Sequence, residues 1–543
     1  MQHRLKRTSA RPISLAICLV ISAGLFALSG SILPDSATVT IRLIDGDTGR
    51  PLAGVIQIEL SDGKRLPLPE LLSRGIGLPG QAAISEWSVL TKPSTLELPR
   101  QKLTVRAFSG LETELTTTDL DLTQAVPRSI DIPLRTLNRS YRSRWVSGNT
   151  HLHLRNMSRA DSDRYLREIP AADGLDVLFV SYLERAEADK TYISNEYRSK
   201  DLQQLATGLP TKLGHGEEHR HNDSAGGQGY GHVMLLDLSE LILPVSIGPG
   251  IMQTGTDGLP LQRGIEQARR DGGTILWCHN AWGTELLPNI VAGSVDAQNM
   301  YDGGHYGNVA NSYYRLLEAG ISVPLSTGTD WFMYDFSRVY CRLEGDVTLD
   351  NWIAALKSGQ TTITNGPLLD LKVNNSNPGE RLSLKRPGQV TVEATAIGRI
   401  DFRTIELVHN GKVIESVASR PVGKHFEADM SLTLDIEEPG WLALRIPPPT
   451  GYDNSQPREQ RQITNPLNEY GQELFAHTSA IAIEIDGRRR RQAEVLRELL
   501  AEIVADRKTV DTQGKFDDEQ ERARVLDVYN AAIEKLQLQL NSL

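Results

Sequence analysis

Cysteine is scarce in this chain: there are three in 543 residues. Cys18 lies in an N-terminal apolar run and follows no lipobox, which leaves Cys278 and Cys341. The compartment argued below permits a disulfide, but two thiols do not make a framework. They read as buried free thiols. Positive charge is also in deficit, with 58 Lys and Arg against 68 Asp and Glu and a net charge of -10. A nucleic-acid binder neutralises phosphates with a basic surface, so nucleic acid is not expected as a partner. Long apolar runs are missing beyond Ser31, so nothing after it is expected to span a bilayer. No G-x-S-x-G elbow stands at a strand–helix junction, which argues against a serine hydrolase.

The one long apolar run is at the start. Arg4, Lys6, Arg7 and Arg11 precede the apolar residues 13–28, and Ala27, Ser29, Gly30 and Ser31 supply small side chains. A positive, then apolar, then small order suits export. Residues 1–31 are expected to be a signal peptide or, because the run is long for one, an N-terminal membrane anchor. The rest is then periplasmic or secreted.

The length exceeds one ordinary domain. Residues 37–138 alternate apolar and polar positions, as in Val39, Ile41 and Leu43 or Ile130, Ile132 and Leu134. Gly and Asp turns separate these runs, which predicts an N-terminal β-sandwich. Residues 139–370 change texture. Strands are expected at 175–180, 274–277 and 321–325, and helices at 261–270 and 310–319. That order predicts an α/β domain with parallel strands. Residues 371–486 return to alternation and predict a C-terminal β-sandwich. Residues 487–543 place Val495, Leu499 and Ile503, then Leu526, Tyr529, Ile533 and Leu536, at helical spacing. They predict a helical hairpin, connected through 509–515, that packs back on the body. The run Arg488 to Arg491 reads as a solvated helix start; a patch for a membrane surface or an anionic partner is the alternative.

The chemistry-bearing residues follow the predicted strands of the α/β domain, where such folds place their sites. His151 and His153 are two apart, so a strand points both imidazoles to one face. The stretch 214–221 holds His215, Glu217, Glu218, His219 and His221. His232 opens an apolar run, His279 closes another, and Asp330 follows a third. Neutral imidazoles and carboxylates are ligands that Zn, Mn and Fe ions accept. Two ions sharing a carboxylate can clamp a phosphoryl or carbonyl oxygen.

These residues in this order resemble the CehA/McbA-type branch of the PHP (polymerase and histidinol phosphatase) metallohydrolases. The similarity covers most of the mature chain. Gly148-Asn149-Thr150-His151-Leu152-His153 resembles the family's opening G-D-x-H-x-H. Gly174-Leu175-Asp176, Gly216-Glu217-Glu218, Gly231-His232 and Gly272-Gly273 through His279 follow. Then come Gly328-Thr329-Asp330 and Thr364-Asn365-Gly366-Pro367. The resemblance implies a PHP-like distorted β/α barrel flanked by the two sandwiches. It implies that His151, His153, Glu218 and Asp330 bind one metal, and that Glu218 bridges to a second held by His232 and His279. Glu217 is the alternative bridge. Glu218, Asp330 and His279 would be catalytic, with a metal-bound hydroxide as nucleophile.

The chain departs from the family pattern twice. Ser181-Tyr182-Leu183 stands where many relatives have T-D-H, and Asp330-Trp331-Phe332 where they have D-x-H. One or two divalent ions are therefore expected, not three, with Glu184 as partial compensation. His221 is a further metal or pocket candidate. His305, in a Gly-rich loop, and Arg338 are candidates for substrate contact, with a structural salt bridge as the other reading of Arg338. His477 reads as structural. The expected activity is metal-dependent hydrolysis of an ester, carbamate or phosphoester in a small-molecule substrate. The alternative is a catalytically impaired PHP-like envelope or surface binding protein. Oligomeric state is not legible.

Overall fold

Alternation makes the N-terminal strands two-faced. Ser36–Asp45 buries every second side chain. It pairs antiparallel with Ser94–Pro99 and parallel with Ser129–Leu134. A five-stranded sheet built on Gly54–Leu60 and Lys102–Phe108 covers it. Val39, Ile41, Ile56, Ile58, Val105 and Ile132 fill the space between. This computed structural model describes residues 36–124, 127–223, 229–250, 255–280, 282–304, 309–449 and 463–543. The expected export segment and His305 lie outside them. No helix among the described residues is long and apolar enough to cross a membrane.

The chain is mixed α/β, and its largest element is a curled sheet. Trp145–His153 lies buried along its whole length and pairs parallel with Val177–Tyr182. That strand pairs parallel with Lys212–His221. Gly231–Leu236 then runs antiparallel between Lys212–His221 and Thr274–Cys278, which corrects the expectation of parallel strands throughout. Ala297–Asn299 and Leu325–Ser326 continue in parallel. The sheet returns to its start where Thr329 N donates to His151 O at 3.1 Å and Asp330–Trp331 pairs with Leu152 and His153. Two glycines permit this curl. A Cβ on Gly148 would overlap the Trp352 indole, and one on Gly328 would press on His151.

Of the expected strand at 321–325, only Leu325 pairs, in the short strand Leu325–Ser326. The second β region packs two sheets around a core of its own, with Leu371, Val392 and Met430 against Leu407, Leu444 and Ile481. One of its sheets, Leu368–Val373 with Gly388–Gly398, His425–Ile436 and Arg420–Val422, stands alone. The other continues the central sheet through Thr361–Thr364 and Ala476–Thr478. The helices Ala493–Gln513 and Glu519–Asn541 form the C-terminal hairpin. Leu499, Ile503, Leu526, Tyr529 and Leu536 bury against Ile290 and Leu316 of the body. The run Arg488 to Arg491 precedes the helix instead of starting it. Arg490 is drawn in by Glu318, at 2.7 Å, and Glu438, while Arg488, Arg489 and Arg491 stay exposed. Cys278 and Cys341 are buried free thiols.

His477 is a structural histidine. Its Nδ1–H donates to Thr478 O at 2.6 Å, and its Nε2 accepts from the Tyr314 hydroxyl at 2.8 Å. The Arg445 guanidinium donates to that hydroxyl at 3.0 Å. Burial, with Arg445 nearby, pushes the imidazole down from its usual 6.5 to about 3. Above about pH 6.5 it is neutral in both folded and unfolded chains and contributes no pH dependence. Below that the unfolded chain takes up the proton first, and stability falls by up to about 1.4 kcal/mol per pH unit. His477→Gln should flatten this loss. Urea unfolding at about pH 7 and about pH 5 measures it, and equal slopes in both proteins would exclude the assignment.

Candidate metal centre

The pleat of Trp145–His153 sends His151 and His153 to one side. Each ring is locked by its other nitrogen. His151 Nδ1–H donates to Asp302 Oδ2 at 2.8 Å, and His153 Nδ1–H donates to Ser181 O at 3.0 Å. Both Nε2 atoms are left facing each other, 2.9 Å apart. Glu218 Oε2 lies 3.0 Å from His153 Nε2 and 3.7 Å from His151 Nε2. Asp330 Oδ1 closes the group at 3.5 and 3.6 Å. Around a tetrahedral zinc ion, nitrogen and oxygen ligands lie roughly 3.3 Å apart. These four side chains fit one ion.

Without a cation, two facing lone pairs need a proton between them. Burial opposes charge on His151, yet Asp302 and Asp330 hold its imidazole well above the usual range. Burial works against ionised Glu218 too, but Arg220 and the surrounding imidazoles keep it well below the usual carboxylate range.

The second carboxylate oxygen of Glu218 faces another pair. Oε1 lies 3.3 Å from His232 Nδ1 and 3.6 Å from His279 Nε2. Glu218 Oε1, His232 Nδ1 and Asp302 Oδ1 are buried without a hydrogen-bond partner. A buried orphan polar atom is costly, and a positive charge beside Glu218 Oε1 would offset that cost. His232 reaches this place because its strand runs antiparallel, so its first residue lies where the parallel strands end. Burial disfavours charge on His279, but Asp302 and Glu218 push it up to about 9.

Asp302 was not among the candidates read from sequence. Its Oδ2 also lies 3.3 Å from His279 Nδ1, so one carboxylate orients an imidazole of each group. The only signal was its place in the Gly-rich loop singled out for His305. Asp302→Asn should weaken metal binding about 10- to 100-fold, the usual cost of losing such a partner. Competition with a chelating dye reads this directly; unchanged affinity would remove the orienting role. Cys278 is adjacent to the group formed by His151, His279 and Asp302. Burial pushes its thiol well up, so it stays protonated and is a poor ligand.

Other candidates lie elsewhere. Glu217 points to the opposite face of its strand, where it accepts from His219 Nε2 at 2.8 Å and Ile242 N at 3.1 Å. Glu218 is therefore the carboxylate that faces both groups. His221 stacks on Tyr230 and donates to Asp257 at 2.8 Å, lining a separate cavity of about 460 Å³. Glu184 accepts from the Tyr182 hydroxyl and pairs with Lys190, away from the ligands. Arg338 is buried and donates to the carbonyls of Phe336 and Asp173, so it braces the core instead of facing a pocket. Phe332, where the resemblance expects histidine, packs on Tyr165.

The centre is nearly closed. The side chains of His151 and His153 are 0% exposed, and that of Asp330, the most open of the four, is 11% exposed. Trp331 lies beside this opening, with the Arg155 and Arg185 guanidiniums over its ring. No known family model, curated protein or solved structure matches this chain.

Proposed function

We propose that the protein is an exported, metal-dependent hydrolase of ester, carbamate or phosphoester bonds. In this reading the curled sheet is a PHP-like distorted barrel of the CehA/McbA type. One observation carries the proposal. Two imidazoles whose Nδ1 atoms already donate turn their Nε2 atoms on each other at 2.9 Å, with Glu218 and Asp330 closing the group. His151, His153, Glu218 and Asp330 would hold a divalent zinc, manganese or iron ion. Such an ion, when bound, polarises a substrate oxygen and brings the pKa of coordinated water toward neutral.

The chain's own residues do the rest. Asp302 fixes the orientation of His151 and His279. Burial of the ligand side chains excludes bulk water and strengthens every charge interaction inside. Asp330, on the open side, would accept a proton from an entering water. The test is to purify the full chain with metals retained and assay aryl esters, carbamates and phosphoesters. Turnover that chelation abolishes and added metal restores is the expected result.

A second reading is a catalytically impaired envelope or surface binding protein of the same fold. The closure of the ligand side chains favours it, as do Leu183 and Phe332 at positions where the resemblance expects histidine. Stoichiometric metal with no turnover on the same panel would select it.

A further inference from the structure

We propose that Arg220 takes the electrostatic place of a second cation, so that the centre holds a single divalent ion at His151, His153, Glu218 and Asp330. This inference rests on the metal-centre reading above and sharpens it.

The strand pairing puts Arg220 there. Glu218 and Arg220 are two apart in Lys212–His221 and share a face. Arg220 is also directly opposite His232 in the antiparallel ladder. Its Nη2 lies 2.9 Å from His232 Nε2, and its Nη1 lies 3.8 Å from Glu218 Oε1. The side chain is only 13% exposed, so the charge sits among the ligands and not in solvent.

Two consequences follow from the chemistry of the guanidinium. It is always protonated and has no acceptor. At the 2.9 Å contact it must donate to the Nε2 lone pair of His232. A neutral imidazole whose Nε2 accepts carries its hydrogen on Nδ1. Nδ1 is the atom turned toward Glu218 Oε1, at 3.3 Å, and the one a second ion would need. His232 thus presents a hydrogen where His151 and His153 present lone pairs. In addition, a second divalent ion would sit beside a fixed positive charge in a dry site, where like charges repel strongly. The imidazoles of the first group differ: their Nδ1 atoms meet Asp302 and a backbone carbonyl, not a guanidinium. Glu218 is then balanced by one metal ion on Oε2 and one guanidinium near Oε1.

The experiment uses the full chain loaded with Mn²⁺ and freed of excess by dialysis. Elemental analysis gives the stoichiometry, and electron paramagnetic resonance separates isolated from spin-coupled ions. The wild type should bind one Mn²⁺ per chain and show the hyperfine pattern of an isolated ion. Arg220→Gln, which removes the charge, should bind two and show a coupled spectrum. Arg220→Lys, which keeps it, should stay at one. A coupled pair in the wild type would overturn the inference and leave the hydrolase reading intact. A second ion absent from a folded Arg220→Gln, checked by circular dichroism, would also overturn it. No Mn²⁺ in any of the three proteins would sink both readings together. The wild-type spectrum decides even if the glutamine variant does not fold.

Discussion

Asp330→Ala and His151→Ala are each expected to abolish turnover and to strip the cation from the purified protein. Losing an outer partner such as Asp302 already costs up to about 100-fold in metal affinity. Removing a direct ligand should exceed that. The two variants differ in a useful way. Asp330 is at the open edge of the group, so its loss leaves the buried rings in place. His151 is the partner of Asp302 at 2.8 Å, and its loss leaves a buried carboxylate with a missing donor. His151→Ala should therefore also lower the melting temperature of the metal-free protein, whereas Asp330→Ala should not. Hydrolysis of aryl esters and phosphoesters, elemental analysis and thermal unfolding read the three effects. Undiminished turnover in both variants would remove the hydrolase assignment.

Arg74→Met is expected to destabilise the protein by about 3–5 kcal/mol, the usual cost of breaking a fully buried ion pair on one side. Arg74 and Asp173 side chains are both 0% exposed, with Nη2 and Oδ2 2.5 Å apart. The pair joins the N-terminal β region to the end of helix Arg159–Ala172. The Tyr470 hydroxyl adds a hydrogen bond to Asp173 at 3.1 Å, which brings in the C-terminal region. Arg74 also donates to Met333 O at 2.7 Å, three residues from Asp330. Loss of Arg74 should thus loosen the segment that carries a ligand and lower turnover as well as stability. Pairing Arg74→Met with Asp173→Leu should recover much of the stability, because no uncompensated charge is left buried. Denaturant unfolding of the single and double variants measures this. A double variant as unstable as the sum of the singles would show that the two charges do not act as a pair.

The candidate centre was partly legible before any coordinates. Spacing of two along a strand made His151 and His153 a pair, and position after apolar runs marked His279 and Asp330. Glu217 and Glu218 are adjacent, and only the pleat direction decides between them; Ile242 and His219 claim the first. His232 was found through its motif, but its reason for being there is an antiparallel strand that local patterning did not reveal. Asp302 and Arg220 were missed because neither belongs to a motif. One acts from a loop 151 residues after His151, the other from a cross-strand position. Arg338 reads from sequence as either a substrate contact or a structural salt bridge, because a cation after Asp330 suits an anion of either kind. Burial turned it to backbone carbonyls instead.

The sequence by itself determined the element types, since the period of apolar residues is a local property of strand and helix. It also determined which imidazoles and acids were available, and that the N-terminal β region alternates faces. Only the tertiary structure decided which of these side chains meet. Convergence depends on how the sheet curls, which strand reverses and which rings a distant carboxylate holds. Those follow from packing between segments far apart in the chain, and no short window of residues contains them.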